Sequence, residues 1–91
     1  MIYVDPMKNR GWGFHGRLVQ SCHLFTDGGL EELHLFALEI GMKKSWFQTH
    51  NKIFHYDLSP SRRKLAVENG AKEVTQREAV RLWREINEKS I

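Results

Sequence analysis

Apolar and polar residues along the chain fall into short blocks with distinct periods, and most blocks end at a glycine or proline. Ile2-Tyr3-Val4 is β-branched and aromatic and is stopped by Asp5-Pro6, which predicts a short central strand whose end presents Asp5. Residues 8–17 carry three glycines with Trp12 and Phe14 and show neither period, so they read as a flexible Gly/aromatic loop. Over Leu18–Phe25 the period is two, with Leu18, Cys22 and Leu24 on one face and Val19, Ser21, His23 and Phe25 on the other. Asp27-Gly28-Gly29 reads as a helix start, followed by the stripe Leu30, Leu33, Ala37 and Ile40 and a stop at Gly41. His34 leans toward that stripe.

Strand-like content returns at Ser45–Gln48 and, after a polar loop at Thr49–Lys52, at Ile53–Leu58. Ser59-Pro60 places a capping residue before a proline suited to the first helical position, and Gly70 ends that helix. Ala71–Val74 predicts a short edge strand. Thr75-Gln76-Arg77-Glu78 has the spacing of a capping box, opening a helix over 76–89 that buries Ala79, Val80, Trp83 and Ile86 and exposes Arg77, Arg81, Arg84 and Lys89. Strands alternating with helices predict an α/β fold: a single compact domain over 1–91 with a small, largely parallel sheet and about three helices. In such sheets sites gather at the carboxyl ends of strands, where this reading puts Asp5, His23 to Asp27, Gln48 and His55 to Asp57.

Composition narrows the classes. Ninety-one residues are too few for two self-supporting cores, and 41% apolar with 27% charged residues is ordinary for a folded chain. No apolar stretch approaches membrane-spanning length, and Asp5 interrupts the N-terminus before a signal sequence could form, so the expected location is cytoplasmic with no membrane partner. One cysteine, Cys22, excludes an internal disulfide and any zinc site built on several thiolates. A net charge of +3 permits anionic partners, nucleic acid among them, without requiring one. The oligomeric state is not encoded in any of these features.

The densest run of reactive side chains is His55-Tyr56-Asp57, followed at once by Ser59, Ser61, Arg62 and Lys64 at a helix start. Unpaired amides, two hydroxyls and basic side chains there suit a phosphate, and Trp46 could stack on a base. His23, His34, His50 and His55 with Asp5, Asp27 and Asp57 also supply enough imidazole and carboxylate for a divalent metal such as zinc, manganese or iron, although no spacing fixes a ligand set. Glu31-x-x-His34 has the spacing of di-iron bundles but lacks its counterparts. Without metal, a histidine oriented by an aspartate can act near neutral pH, with Tyr56 or Lys64 stabilising charge. The C-terminal third offers a different chemistry: Ala66-x-x-x-Gly70 has helix-turn-helix spacing, and Arg77, Arg81 and Arg84 share the polar side of the last helix.

The series Tyr3-Val4-Asp5, Cys22-His23, Asp27, Glu32-Leu33-His34, Trp46 with Gln48, His55-Tyr56-Asp57, Lys64 and Gly70-Ala71 resembles a small family of unknown function found in bacteriophages and bacteria and marked by a His-Tyr-Asp motif. The resemblance implies that Asp5, His23, Asp27, His34, Trp46, Gln48, His55, Tyr56 and Asp57 belong together, and implies no activity. This chain has a longer Gly/aromatic segment at 9–17 and extra residues at 49–54.

Together these features predict a phage-type accessory protein binding a nucleotide-like or other phosphorylated small molecule. Its polar pocket would contain Asp5, His23, His34, Gln48, His55, Tyr56 and Asp57, flanked by Trp46, Ser59, Ser61, Arg62 and Lys64. If it turns the ligand over, the expected reaction is phosphoester or glycosidic-bond hydrolysis. His55, Asp57, His23 and Tyr56 would be catalytic, with a divalent metal as the candidate cofactor. If it only binds, it would sequester the ligand in an anti-defence role. The competing expectation is a non-catalytic DNA- or protein-binding inhibitor that acts through the basic C-terminal helices.

Overall fold

The computed structural model describes residues 1–12, 18–49 and 53–89, with the side chains of residues 10–12, 18, 19 and 89 outside the description. Its elements are β1 (Ile2–Val4), β2 (Lys8–Trp12), β3 (Leu18–Thr26), α1 (Leu30–Glu39), β4 (Tyr56–Leu58), α2 (Pro60–Glu68), β5 (Lys72–Glu73) and α3 (Gln76–Lys89). A three-residue 3-10 turn, Lys44–Trp46, lies between α1 and β4.

β3 is the spine. Its nine residues pair antiparallel with β1, β2 and β4, and Leu24 is shared between Val4 and Tyr56, so β1 and β4 flank it on opposite edges. β5 adds to the far side of β1, with Tyr3 against Lys72 and Val4 against Glu73. That pair alone among the described strands is parallel, which corrects the expectation of a largely parallel sheet. Parallel neighbours need a long crossover. Here α1 instead carries the chain from β3 to β4 in the reverse direction, and the sheet is mixed.

Between Val4↔Leu24 and Lys8↔Ser21 the first strand advances one residue more than β3 does. Asp5-Pro6-Met7 absorbs the extra residue as a bulge-like kink, a natural place for a proline that cannot donate to the ladder. Arg63 of α2 holds the kink from outside. Its Nε donates to the Asp5 carbonyl at 3.0 Å, and its Nη1 meets Glu73 Oε1 at 2.8 Å.

Alternation along the strands builds two cores. Ile2, Val4, Cys22, Leu24, Tyr56 and Leu58 face Leu33 and Ala37 of α1, Ile40 just after it, and Ala66 of α2. On the reverse face Tyr3, Phe25, Ile53 and Val74 meet Ala79, Leu82, Trp83 and Ile86 of α3. The sheet therefore lies between α1 with α2 and α3, an α/β arrangement with three helices.

Several local expectations hold. Ser59 Oγ accepts from the Arg62 amide at 3.3 Å with Pro60 first in α2, and Gly41 and Gly70 leave helices at φ of 83° and 105°. Thr75 and Glu78 form the reciprocal capping box, both bonds 3.1 Å. Arg77, Arg81 and Arg84 are exposed, while Ala79 is buried and Val80 half-buried. Others fail for identifiable reasons. Residues 8–12, read as loop, form β2 because the long β3 offers an edge to pair; residues 13–17, including Phe14, lie outside the described residues. Asp27 does not cap α1, since its carboxylate accepts from the Tyr3 hydroxyl at 2.9 Å and Gly29 takes the N-cap position. Leu30, first in that helix, is 39% exposed instead of joining the stripe. Ser45–Gln48 makes the 3-10 turn and a single bridge, Gln48↔His55, not a strand. No helix among the described residues is long and apolar enough to cross a membrane.

Candidate metal centre

His23 and Asp57 are direct cross-strand partners of β3 and β4, so their side chains rise from the same face of the sheet. His55 precedes Asp57 by two residues and shares that face. Its backbone is clamped by the bridge to Gln48, with His55 N donating to Gln48 O at 3.1 Å and Gln48 N donating to His55 O at 2.8 Å. One ligand atom from each of His23, His55 and Asp57 can be chosen so that all lie within 4.8 Å of one another. His55 Nε2 and Asp57 Oδ1 are 3.3 Å apart. Two donors on one tetrahedral ion, each about 2.0 Å from it, stand about 3.3 Å apart.

Both imidazoles are oriented from behind. The His23 ring donates from Nδ1 to Asp5 Oδ2 at 2.7 Å, while the His23 backbone N–H donates to Asp5 Oδ1 at 2.6 Å. His55 Nδ1 can only donate to the Ile53 carbonyl, at 2.8 Å. Each neutral ring is thereby held as the Nδ1–H tautomer, and Nε2 is the atom through which it would ligate. A carboxylate or carbonyl fixing the distal nitrogen is the usual support of a metal-bound histidine. Asp5 is fully buried and owes its position to the kink that follows β1. Its place at a strand end and in the family pattern marks Asp5 in the sequence; that it stands behind His23 follows from the pairing of β1 with β3.

Exposure grades across the three residues: the His55 side chain is buried, His23 is partly covered and Asp57 is 47% exposed. The group thus opens to solvent on the Asp57 side. Burial pulls the His55 pKa down, but hydrogen bonds with Asp57 and Ile53 and the charges of Asp57 and Asp5 outweigh it, leaving the net value above the usual one. The protonated His55 ring, with Nε2–H turned to Asp57, is thereby favoured, and a metal ion would take the place of that proton. Trp83 of α3 walls the group, its ring 5.5 Å from that of His23 and edge-on, while His23 and His55 meet edge-on at 4.6 Å.

The remaining residues expected in the pocket do not join this group. Tyr56, between His55 and Asp57, points through the opposite face, where it is buried and shares a 2.8 Å hydrogen bond with His34 Nδ1. Phe47 packs on both rings. Gln48 takes part through its backbone. Ser59, Ser61 and Arg62 lie at the start of α2: the two hydroxyls are 3.2 Å apart, and Arg62 stacks 5.5 Å from Trp46 while donating to the Gly41 carbonyl at 3.2 Å. Lys43 covers Trp46 as well. Lys64 is exposed on α2, and His50 lies outside the described residues. Arg63, which no sequence signal separates from its basic neighbours Arg62 and Lys64, is the one that touches Asp5.

No curated protein and no solved structure matches the chain. A family model does, over residues 2–86, a span that takes in Asp5, His23, His55 and Asp57, and the chain belongs to that family, described as a protein of unknown function (DUF4031).

Proposed function

We propose that the chain is a divalent-metal-dependent hydrolase of a phosphorylated, nucleotide-like ligand, with His23, His55 and Asp57 as metal ligands and Asp5 as the residue that positions His23. The observation that carries this reading is the convergence of the three side chains with both Nδ1 atoms already engaged. Two imidazoles and one carboxylate suit zinc first, and manganese or iron next. Three protein ligands leave a coordination position for water. A cation held there would supply Lewis acidity and lower the pKa of a neighbouring water toward neutrality. In the reaction, water oxygen adds to phosphorus, the phosphorus–oxygen bond to the leaving group breaks, and the proton released by the water is returned to the departing oxygen. The exposed side of Asp57 is where such a ligand would enter.

Chelator-treated protein should bind one zinc or manganese ion per chain in a calorimetric titration. Asp57→Asn, chosen because this side chain is half-exposed and not part of the core, should weaken that binding at least tenfold. Metal-loaded protein incubated with nucleotides, cyclic nucleotides and ADP-ribose derivatives should then return a cleaved product by chromatography. Absence of metal binding, or an unchanged affinity in Asp57→Asn, would sink the reading. A ligand that raises the melting temperature but is recovered intact would favour sequestration without turnover. The non-catalytic inhibitor reading rests on the exposed arginines of α3 alone and would survive loss of the metal.

A further inference from the structure

Helix α1 turns two leucines away from the protein. Leu35 and Leu38 are 58% and 70% exposed, whereas Leu33 and Ala37 of the same helix are buried. At 3.6 residues per turn Leu35 stands opposite that buried pair, and Leu38 lies one turn further on. His34, Leu38 and Gly41 share a stripe at spacings of four and three. The His34 ring meets Phe47 edge-on at 4.6 Å, and the Gly41 carbonyl accepts from Arg62. Leu38 is thereby placed beside the turn at Lys44–Trp46, where Trp46 is 40% exposed with Lys43 and Arg62 over its ring. Single exposed leucines are ordinary, but these continue into an aromatic ring and form a strip. Charge is ordered along it. Glu31 and Glu32 stand in the first turn of α1, and Lys43 and Lys44 follow its end, about 18 Å further along the axis. Among the described residues no carboxylate lies within 4.0 Å of Lys43 or Lys44 and no cation within that distance of Glu31.

We propose that this strip is the interface of a two-fold homodimer, in which two copies of α1 pack antiparallel through Leu35 and Leu38. A strip that runs from acid through apolar to base is complementary to itself once one copy is reversed. With the axis at the turn between Leu35 and Leu38, Glu31 of one copy comes beside Lys43 of the other, and symmetry makes that pair twice. The exposed edge of Trp46 is then covered by the first turn of the facing helix. An apolar centre with charges at its rim is the usual anatomy of a protein interface. The contact involves one ten-residue helix and the turn after it, small for a dimer, so association in the micromolar range is expected. The strip lies across the sheet from His23, His55 and Asp57, and its assignment does not depend on the metal reading.

Sedimentation equilibrium of the unaltered chain, from low micromolar to several hundred micromolar, should show the mass rising from that of one chain toward that of two. L35S/L38S changes only exposed side chains and should stay a monomer over the whole range. Circular dichroism melting checks that each variant keeps its fold. E31K and K43E should each associate about five- to tenfold more weakly than the unaltered chain, because two symmetry-related attractions become repulsions. Mixing the two variants gives the sharper test. With one of them nitrogen-15-labelled, native mass spectrometry should show a heterodimer in excess of either homodimer, since the mixed pair restores both opposite-charge contacts. A chain that is monomeric at every concentration overturns the proposal and leaves the strip to a different kind of partner. Association of L35S/L38S as tight as that of the unaltered chain, or statistical mixing of the charge variants, overturns it by putting the contact on another surface.

Discussion

Asp5 concentrates much of the site in one side chain: both carboxylate oxygens are used on His23, one by the ring and one by the backbone N–H. Asp5→Asn keeps the shape but replaces one acceptor oxygen by a donor, so His23 either loses a bond or turns to the Nε2–H tautomer, whose Nε2 cannot ligate. We expect metal affinity to drop about 10- to 100-fold by calorimetry, the range seen when an outer partner of a metal-bound histidine is removed. Tyr56→Phe makes the opposite prediction. It deletes the bond to His34 at a cost of about 1 kcal/mol in denaturant unfolding, yet leaves zinc affinity unchanged because the ring lies behind the sheet. The contrast is legible in the sequence through strand period alone, since His55 and Asp57 share a face that Tyr56 cannot. A contiguous motif conceals this. Asp27 carries a pH prediction: burial raises its pKa, but the Tyr3 hydroxyl and the N-terminal ammonium outweigh that and lower it overall. A carboxyl with a depressed folded-state value stabilises above its unfolded value of 3.8 and loses that contribution as pH falls through the folded one. Below about pH 4, unfolding curves of Asp27→Asn should therefore fall less steeply with acid than those of the unaltered chain.

At the scale of elements, the chain announces its helix ends more clearly than its sheet partners. Ser59-Pro60, Gly41, Gly70 and the Thr75–Glu78 box act within a few residues, and each stands where its chemistry requires. Thr75→Ala removes the acceptor of the Glu78 amide and should destabilise the chain by about 1 kcal/mol, read from a chemical denaturation midpoint. Gly70→Ala should destabilise it by about 1 to 2 kcal/mol through the left-handed backbone, since nothing near the added methyl obstructs it. β2 is hidden from local signals for a different reason. Its Lys-Asn-Arg-Gly-Trp run has weak strand character of its own and forms against β3. The 3-10 turn at Lys44–Trp46 likewise follows from its surroundings: Lys43 and Arg62 stack on Trp46, and Arg62 is supplied by a helix that begins well beyond the turn.

For the whole molecule, the sheet is a partition. One face collects α1, α2, His34 and Tyr56, and the other collects α3, His23, His55 and Asp57. The sequence supplies nearly every member of both groups and cannot sort them, because the sorting depends on antiparallel register across β3. Direction of the strands is equally remote from local signals, which is why helices between strands suggest parallel pairing where only β1 and β5 adopt it among the described strands. The position of Cys22 at the middle of β3, fully buried and paired with Leu58, has a practical consequence. A maleimide or iodoacetamide reagent can reach this thiol only when the central ladder comes apart, so the rate of alkylation is a clock for opening of the fold, read by mass spectrometry without any introduced label.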